Sequence, residues 1–323
     1  MRVPLAVLLG IAMAVSIGAE SGKDGLTQVN AALQAGQADK ALALLKSLPP
    51  PLNNSAEAHN LRCRVLYALE QYEAANHECE QAVGLDAQNS NYHLWFGRTL
   101  GEVADRATFI SAYSLAKRAR AEFEQAVQLN PHSAEALADL GEFYSSAPGV
   151  VGGGMDKASK VAAQLDSLDP ARAHELRGGM ARENKDLGGA ERELKAAVAA
   201  SAHPAFQWMR LASFYRKAKR YPEMESAVQS GWTAAQHDPH AAVALFNGAS
   251  VLMKGNRNPA LAIKLLEEYL ASPTATEEAP AFTARVWLAR LKAQTGDTEG
   301  ARRERAEALT LAQEYKPAQD LKL

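Results

Sequence analysis

Between Leu115 and Pro170 the sequence repeats one arrangement of apolar and helix-ending residues, and this repetition restricts the possible folds most strongly. Two helical patterns follow one another, and they end at the dipeptides Asn130-Pro131 and Asp169-Pro170. Proline cannot continue a helix, and it disfavours the α conformation in the residue before it. The stretch therefore predicts short helices that stop at regular intervals.

The second pattern of this stretch also shows how such helices would pack. Its apolar residues recur at i, i+3, i+4 and i+7, so they form one stripe on a helix: Leu137, Leu140, Gly141 and Tyr144. Gly141 costs about 1 kcal/mol relative to alanine inside a helix, which is reasonable only where another helix approaches closely. The following helix carries the small residues Ala158 and Ala162 on its own stripe. A single pair of this kind cannot bury both faces, so it needs a neighbour on each side.

This order of features resembles the tetratricopeptide repeat (TPR), a helix–turn–helix unit of 34 residues. The pattern recurs about eight times between residues 24 and 312, at spacings of about 31 to 44 residues. The best match occupies the motif positions with Trp208, Leu211, Ala212, Tyr215, Tyr221, Met224, Val228 and Gly231. The resemblance implies an all-α fold, a right-handed superhelical solenoid of about eight antiparallel helix pairs.

The N-terminus predicts export from the cytoplasm. Arg2 precedes the apolar run Val3 to Ile17, and the small residues Gly18-Ala19 follow it, as in a secretory signal peptide. An uncleaved membrane anchor is the alternative, although the run is short for a membrane span. We expect a periplasmic or secreted protein without a membrane span in the mature chain. The predicted divisions are 1–19 for the signal peptide, 20–53 for a degenerate first pair, 54–312 for the solenoid and 313–323 for a tail.

The two cysteines, Cys63 and Cys79, are expected on the two helices of the second pair. In an exported protein they could form a disulfide, for which the Cα geometry is strict. The alternative is a pair of small buried hydrophobic residues that never meet. The sequence leaves both possibilities open.

Composition and motifs disfavour several functions. The chain has 35 basic and 37 acidic residues, a balance that gives no general attraction to nucleic acid or anionic membranes. The glycine-rich run from Gly149 to Asp156 lacks the Lys-Ser/Thr of a phosphate-binding loop. His77 and Cys79 point to different faces of a helix, and no second cluster completes a metal site. We expect no catalytic, cofactor-binding or metal-binding residues, and therefore no enzyme.

The resemblance implies that the first helix of each pair lines a concave inner face. In the second to fifth pairs the inward positions are Asn60, Arg64, Tyr67, Leu94, Arg98, Glu135, Glu142, Ser145, Arg172, Glu175, Arg182 and Glu183. In the last three pairs apolar residues, among them Val243, occupy such positions beside cations. The predicted partner-binding residues are Phe206, Met209, Arg216, Lys217, Phe246, Met253, Lys254, Val286 and Arg290.

An apolar groove flanked by cations fits a protein or peptide with hydrophobic anchors and acidic or C-terminal carboxylate groups. The alternative for these residues is packing against neighbouring helices. The function that follows is an extracytoplasmic scaffold or adaptor. A second possibility is a solenoid that binds a small molecule, or associates with an enzyme, through a glycine-rich edge. That edge consists of the insertions of the third and fourth pairs, which we expect to lie together and protrude.

Overall fold

A computed structural model describes residues 24–272 and 276–323, and these residues form helices and turns but no strand. The predicted signal peptide, 1–19, lies outside the described residues. None of the helices in the described ranges combines the length and apolar character that crossing a bilayer requires.

The helices stack in antiparallel pairs, so the predicted all-α solenoid is confirmed, with eight pairs in the described part of the chain. The first four pairs are α1 (24–34) with α2 (Ala38–Ser47), α4 (Ala56–Ala68) with α5 (Tyr72–Leu85), α6 (Ser90–Arg106) with α7 (Phe109–Leu129), and α8 (Ala134–Ser146) with α9 (Met155–Leu168). The last four are α10 (Pro170–Glu183) with α11 (Leu187–Ala200), α12 (Pro204–Lys217) with α13 (Tyr221–Ala235), α14 (Ala242–Gly255) with α15 (Pro259–Ala271), and α16 (Ala281–Gln294) with α17 (Thr298–Leu311). Two short helices, α3 (Pro50–Asn53) and α18 (Lys316–Gln319), lie outside the pairs.

The turns inside most pairs share one backbone conformation. The residue that ends the first helix is followed by one in the left-handed conformation, which lets the chain reverse over two or three residues. These residues are Gly36, Glu70, Lys185, Lys219, Asn256 and Gly296. Between pairs, Ser55, Asn89, Ser133 and Asp169 accept hydrogen bonds from the first backbone N–H groups of the next helix.

Gly141 lies where neighbouring helices pack closely, as its place on the apolar stripe predicts. A Cβ atom there would come within 2.4 Å of the Leu176 Cδ2 atom on α10 and 3.2 Å of Val161 on α9. Close packing therefore involves the next pair as well as the partner helix.

The two ends of the array meet, so the solenoid closes into a ring. One buried cluster joins the first two pairs to the C-terminal end, through Leu26, Val29, Leu33, Leu45, Leu61, Val65, Phe282, Val286, Ala308 and Tyr315. We call this contact the seam. The Arg64 guanidinium donates two hydrogen bonds across it to the Glu277 carboxylate, at 2.5 and 2.9 Å. The sequence predicted an open superhelix and did not indicate this closure.

Polar groups of the tail complete the seam. The Tyr315 hydroxyl donates to a Glu70 carboxylate oxygen at 2.8 Å, and the Gln313 backbone N–H donates to Asp39 at 2.8 Å. The Arg305 guanidinium donates to the carbonyl oxygens of Ala318 and Gln319, so it fastens α18 to α17. The 313–323 segment is thus a packed part of the ring.

A disulfide joins Cys63 on α4 to Cys79 on α5, with Cα atoms 5.3 Å apart. Both residues are fully buried. The bond links the two helices of the second pair beside the seam.

The third pair is longer than the others because its insertion extends both helices. At the tip of this hairpin Phe109 is 90% exposed and Ile110 is 83% exposed. The insertion of the fourth pair, a 3₁₀ turn at Gly149–Val151, packs on α7, where Arg120 donates to the Val151 carbonyl at 3.4 Å. The insertion of the fourth pair therefore lies against the second helix of the third pair.

Hydrogen bonds between histidine and carboxylate groups link the helices of several pairs. In the second, third and fifth pairs a histidine near the start of the first helix contacts a glutamate of the second. His93 on α6 is the most buried of the three. Its Nδ1 atom lies 2.6 Å from Glu122 and its Nε2 atom 3.1 Å from the Ala87 carbonyl. Because both nitrogens face acceptors, this environment favours the doubly protonated form of the ring.

We expect the stabilising effect of His93 to be larger at mildly acidic pH than at alkaline pH. The hydrogen bond to Glu122 raises the pKa of His93, although burial opposes the shift. A raised folded-state pKa adds stability below the unfolded-state value of about 6.5, and that stability is lost as pH rises through the folded-state value. In urea titrations His93→Asn should therefore destabilise the protein by about 1.5–3 kcal/mol at pH 5.5 and by less at pH 8.5.

The matched control is His132→Asn, since His132 is exposed in the turn after α7 and should leave the pH profile unchanged. An equal loss for His93→Asn at both pH values would show that the imidazolium contributes nothing.

Candidate functional site: the central cavity

The first helices of the second to eighth pairs surround one cavity of about 880 Å³. Its volume lies in the range of about 300–1,000 Å³ that is typical of ligand pockets. The side chains that the helices contribute include Arg64, Tyr67, Trp95, Arg98, Glu135, Asp139, Arg172, Glu175, Phe206, Gln207, Arg210, Val243, Phe246, Asn247, Thr283 and Trp287. We call this space the central cavity.

Many inward positions inferred from the repeat pattern do line the central cavity. They are Arg64, Tyr67, Arg98, Glu135, Arg172, Glu175, Phe206, Val243 and Phe246. A second cavity of about 240 Å³ between α8, α10 and α12 is lined by Glu142, Ser145, Arg182 and Lys217. Asn60, Leu94 and Glu183 line neither cavity.

Three of the predicted partner-binding residues are buried, so the alternative of packing against neighbouring helices holds for them. Met209 is 2% exposed, Phe246 7% and Val286 1%. Met209 fills a slot left by two glycines, since a Cβ atom at Gly231 or Gly248 would come within 3 Å of its Cε atom. Val286 packs in the seam. Phe246 stacks on Trp287 with ring centroids 4.2 Å apart, and it still forms part of the cavity wall.

The predicted cations do not gather around the aromatic wall of the central cavity. Lys217 lines the second cavity, whereas Arg216, Lys254 and Arg290 line neither. Burial, with help from the charges of Arg182 and Arg216, lowers the pKa of Lys217. Met253, at the end of α14, is half-buried and also lies outside both cavities.

Carboxylates outnumber arginines in the wall of the central cavity. The acidic residues are Glu70, Glu135, Asp139, Asp169, Glu175, Glu277 and Glu278, and the arginines are Arg64, Arg98, Arg172 and Arg210. With neutral His203 the lining carries a net charge of −3, from seven acids and four bases. The whole chain carries only −2, so its excess of negative charge is concentrated here.

Arg98 holds two of these carboxylates. It donates to Asp139 at 2.7 Å and to Glu135 at 2.6 Å. Burial raises the pKa of Asp139 even though Arg98 opposes that shift. One guanidinium therefore faces two carboxylates, so Glu135 and Asp139 together keep one uncompensated negative charge.

Trp95 positions the arginines on this side of the cavity. The Arg98 guanidinium carbon lies 4.9 Å from the Trp95 ring centroid, and that of Arg64 lies at 5.6 Å. Both distances fit cation–π contacts. Trp95 is 8% exposed and belongs to a buried cluster, and it also lines the cavity.

Gln207 on α12 is the least satisfied polar group of the wall. It is 8% exposed, and its Nε2 group donates to the Glu175 Oε1 atom at 3.0 Å. Its own Oε1 atom is buried and has no hydrogen-bond partner. A flipped amide would place this oxygen against the Glu175 carboxylate, so the observed orientation is the favourable one.

The sequence analysis did not identify Gln207, Asp139 or Trp287. Trp287 follows Val286, so the predicted inward register of α16 was wrong by one residue, which rotates a helix by about 100°. Gln207 is the residue after Phe206 on α12, and both line the cavity. Among the described residues no group of three or more potential metal ligands occurs. The glycine-rich run at 149–154 lines neither cavity.

The sequence matches no protein-family model and no curated protein. Several solved structures are similar in fold. One is a thermophilic TPR protein of Thermus thermophilus, with 22% identity over 62% of this chain and 100% of that chain and a TM-score of 0.45. Another is the C-terminal part of a TPR repeat-containing protein from Cytophaga hutchinsonii, with 15% identity, coverage of 92% and 100%, and a TM-score of 0.42. MamA matches with 20% identity, coverage of 51% and 89%, and a TM-score of 0.40. The antiparallel helix pairs of this chain and their close packing are similar to those of tetratricopeptide repeat proteins.

Proposed function

We propose that the protein is a scaffold or adaptor of the bacterial envelope that binds a polypeptide segment in its central cavity. One observation carries this proposal: seven consecutive first helices direct aromatic and polar side chains into a single space. Half-buried Phe206, Val243 and Trp287 offer apolar contact beside hydrogen-bonding groups such as Asn247. Binding surfaces typically combine aromatic anchors with a few placed polar groups.

The closed ring restricts the form of the partner. An α-helix with its side chains is about 10–12 Å across, and a folded domain is much larger. A cavity of about 880 Å³ matches a short extended segment or a chain end better. Because the seam joins the ends of the array, such a segment enters end first and does not settle sideways into an open groove.

A second candidate function is the binding of a small molecule. The central position of the cavity within the ring of helices and its ligand-sized volume favour it. The glycine-rich edge that the sequence suggested for this role lines neither cavity, so the central cavity is the better site.

Site-specific photo-crosslinking tests the proposal. A photoreactive phenylalanine analogue at Val243 in the full chain, irradiated in envelope extract, should yield an adduct with a polypeptide. The same analogue at Lys264, which is exposed on the second helix α15, is the matched control and should yield none. The Val243 adduct should decrease when Trp287→Ala is also present.

Two results would contradict a polypeptide partner. One is equal labelling from Val243 and Lys264. The other is an adduct at Val243 whose added mass is that of a small molecule, which would support the second function.

A further inference from the structure

We propose that the central cavity recognises a cation rich in N–H donors, namely the ammonium or guanidinium group of a lysine or arginine side chain. The claim that this cation belongs to a peptide rests on the proposed function. The claim that the recognised group is a cation rests on the residues of the cavity wall alone. It reverses the expectation of an acidic partner.

The side-chain oxygen of Gln207 in the cavity wall has no hydrogen-bond partner. A buried acceptor without a partner is costly, and such atoms are rare in native proteins. Glu175 fixes the amide so that the acceptor, and not the NH₂ group, is left for a ligand. A group that reaches this oxygen must therefore donate a hydrogen bond, which a carboxylate cannot do.

The net charge of the cavity wall also favours a cation. The wall carries a net charge of −3. Its arginines are already paired: Arg64 with Glu277, Arg98 with Glu135 and Asp139, and Arg172 with Asp169. Arg210 has a side chain that is 70% exposed and lies 3.9 Å from Glu175. Three of the four arginines in the wall are therefore already paired with carboxylates, and the net negative charge of the cavity attracts cations.

The aromatic residues of the cavity wall favour a cation as well. Phe206 and Trp287 are half-buried residues that line the same cavity as Gln207, and aromatic faces attract ammonium and guanidinium groups. Trp95 already holds two guanidinium groups within this cavity. A lysine or arginine side chain can bury its aliphatic stem on such rings while its head reaches the carboxylates.

Selection from a library of capped random hexapeptides, with the full chain immobilised, tests the inference. Lysine and arginine should be enriched over aspartate and glutamate among the retained peptides. The best-retained sequence is then synthesised with its basic residue kept, replaced by norleucine, or replaced by glutamate. Calorimetry should show about tenfold weaker binding for norleucine, and weaker binding still for glutamate.

Variants of the wall locate the effect. Gln207→Met and Glu175→Gln should each weaken binding of the basic peptide by about tenfold and leave the norleucine peptide nearly unaffected. Glu225→Gln on α13 removes one carboxylate that does not line the cavity, and it should change neither affinity. Melting temperatures establish that each variant is folded.

The outcomes separate the two claims. Equal binding of the basic and norleucine peptides, or tighter binding of the glutamate peptide, would overturn the cationic inference and leave the peptide function standing. If no hexapeptide binds but butylamine does, with the same loss in Gln207→Met, the cation preference holds and the peptide function falls. If neither peptides nor butylamine bind, both fall.

Discussion

Replacing Phe282 by alanine should lower the free energy of unfolding by about 3–5 kcal/mol, the usual cost of truncating a fully buried phenylalanine. Phe282 is 1% exposed at the start of α16. Its ring packs edge-to-face on Tyr315 at 4.8 Å, and the same cluster includes Leu33 and Val65 from the other end of the array. The substitution leaves a cavity inside the seam. Urea titration followed by circular dichroism measures the loss.

The seam also predicts a change in cooperativity. Repeat arrays are stabilised by contacts between neighbours, and the seam makes the first and last pairs neighbours as well. Phe282→Ala should therefore release the first pair at lower urea, with a broader transition and a smaller m value. Small-angle X-ray scattering should show a larger radius of gyration as the ring opens.

Phe109→Ala is the matched control, because Phe109 is 90% exposed at the tip of the third pair. It should change stability by less than about 0.5 kcal/mol. A loss for Phe282→Ala no larger than that of the control would mean that the two ends do not meet in solution.

The sequence predicted those parts of the fold that are determined within one repeat. The stop at Asn130-Pro131 and the close approach at Gly141 depend on residues a few positions apart, and both are read directly from spacing. The inward positions Phe206 and Val243 followed from the same register. Trp287 did not, since an error of one residue in α16 moved the prediction to Val286.

The remaining features depend on contacts that repeat spacing does not encode. Met209 is buried because Gly231 and Gly248 leave room for it, and Gly248 lies on the next pair. Glu277 pairs with Arg64 across 213 positions of the chain. Whether eight pairs close into a ring depends on small rotations that accumulate from pair to pair, and no single repeat determines that sum.

Replacing Glu277 by glutamine should destabilise the protein by about 3 kcal/mol, the lower end of the range for breaking a buried ion pair. The side chains of Arg64 and Glu277 are 14% and 12% exposed, so water screens the pair poorly. Without Glu277 the Arg64 charge keeps only Asn30, at 3.3 Å, and the face of Trp95. Urea titration gives the loss, and because the pair is largely buried the loss should persist in 1 M salt.

A double-mutant cycle distinguishes the loss of this ion pair from a general disturbance of the segment that contains Glu277. Arg64→Gln and Glu277→Gln each leave an unpaired charge, whereas the double variant leaves none. The double variant should therefore be more stable than the sum of the single losses predicts, by about 2 kcal/mol. Glu299→Gln is the control: its partner Arg303 is 67% exposed and Glu299 itself 85%, so the change should stay below about 0.5 kcal/mol.

The same cycle tests whether the seam and the cavity are one structure. Arg64 and Glu277 both line the central cavity, so a seam that opens also removes part of the cavity wall. Ligand affinity should then fall in either single variant and recover in part in the double variant. Strictly additive stability losses would place the two residues apart in solution, and the ring would then be an open solenoid with a groove accessible from the side.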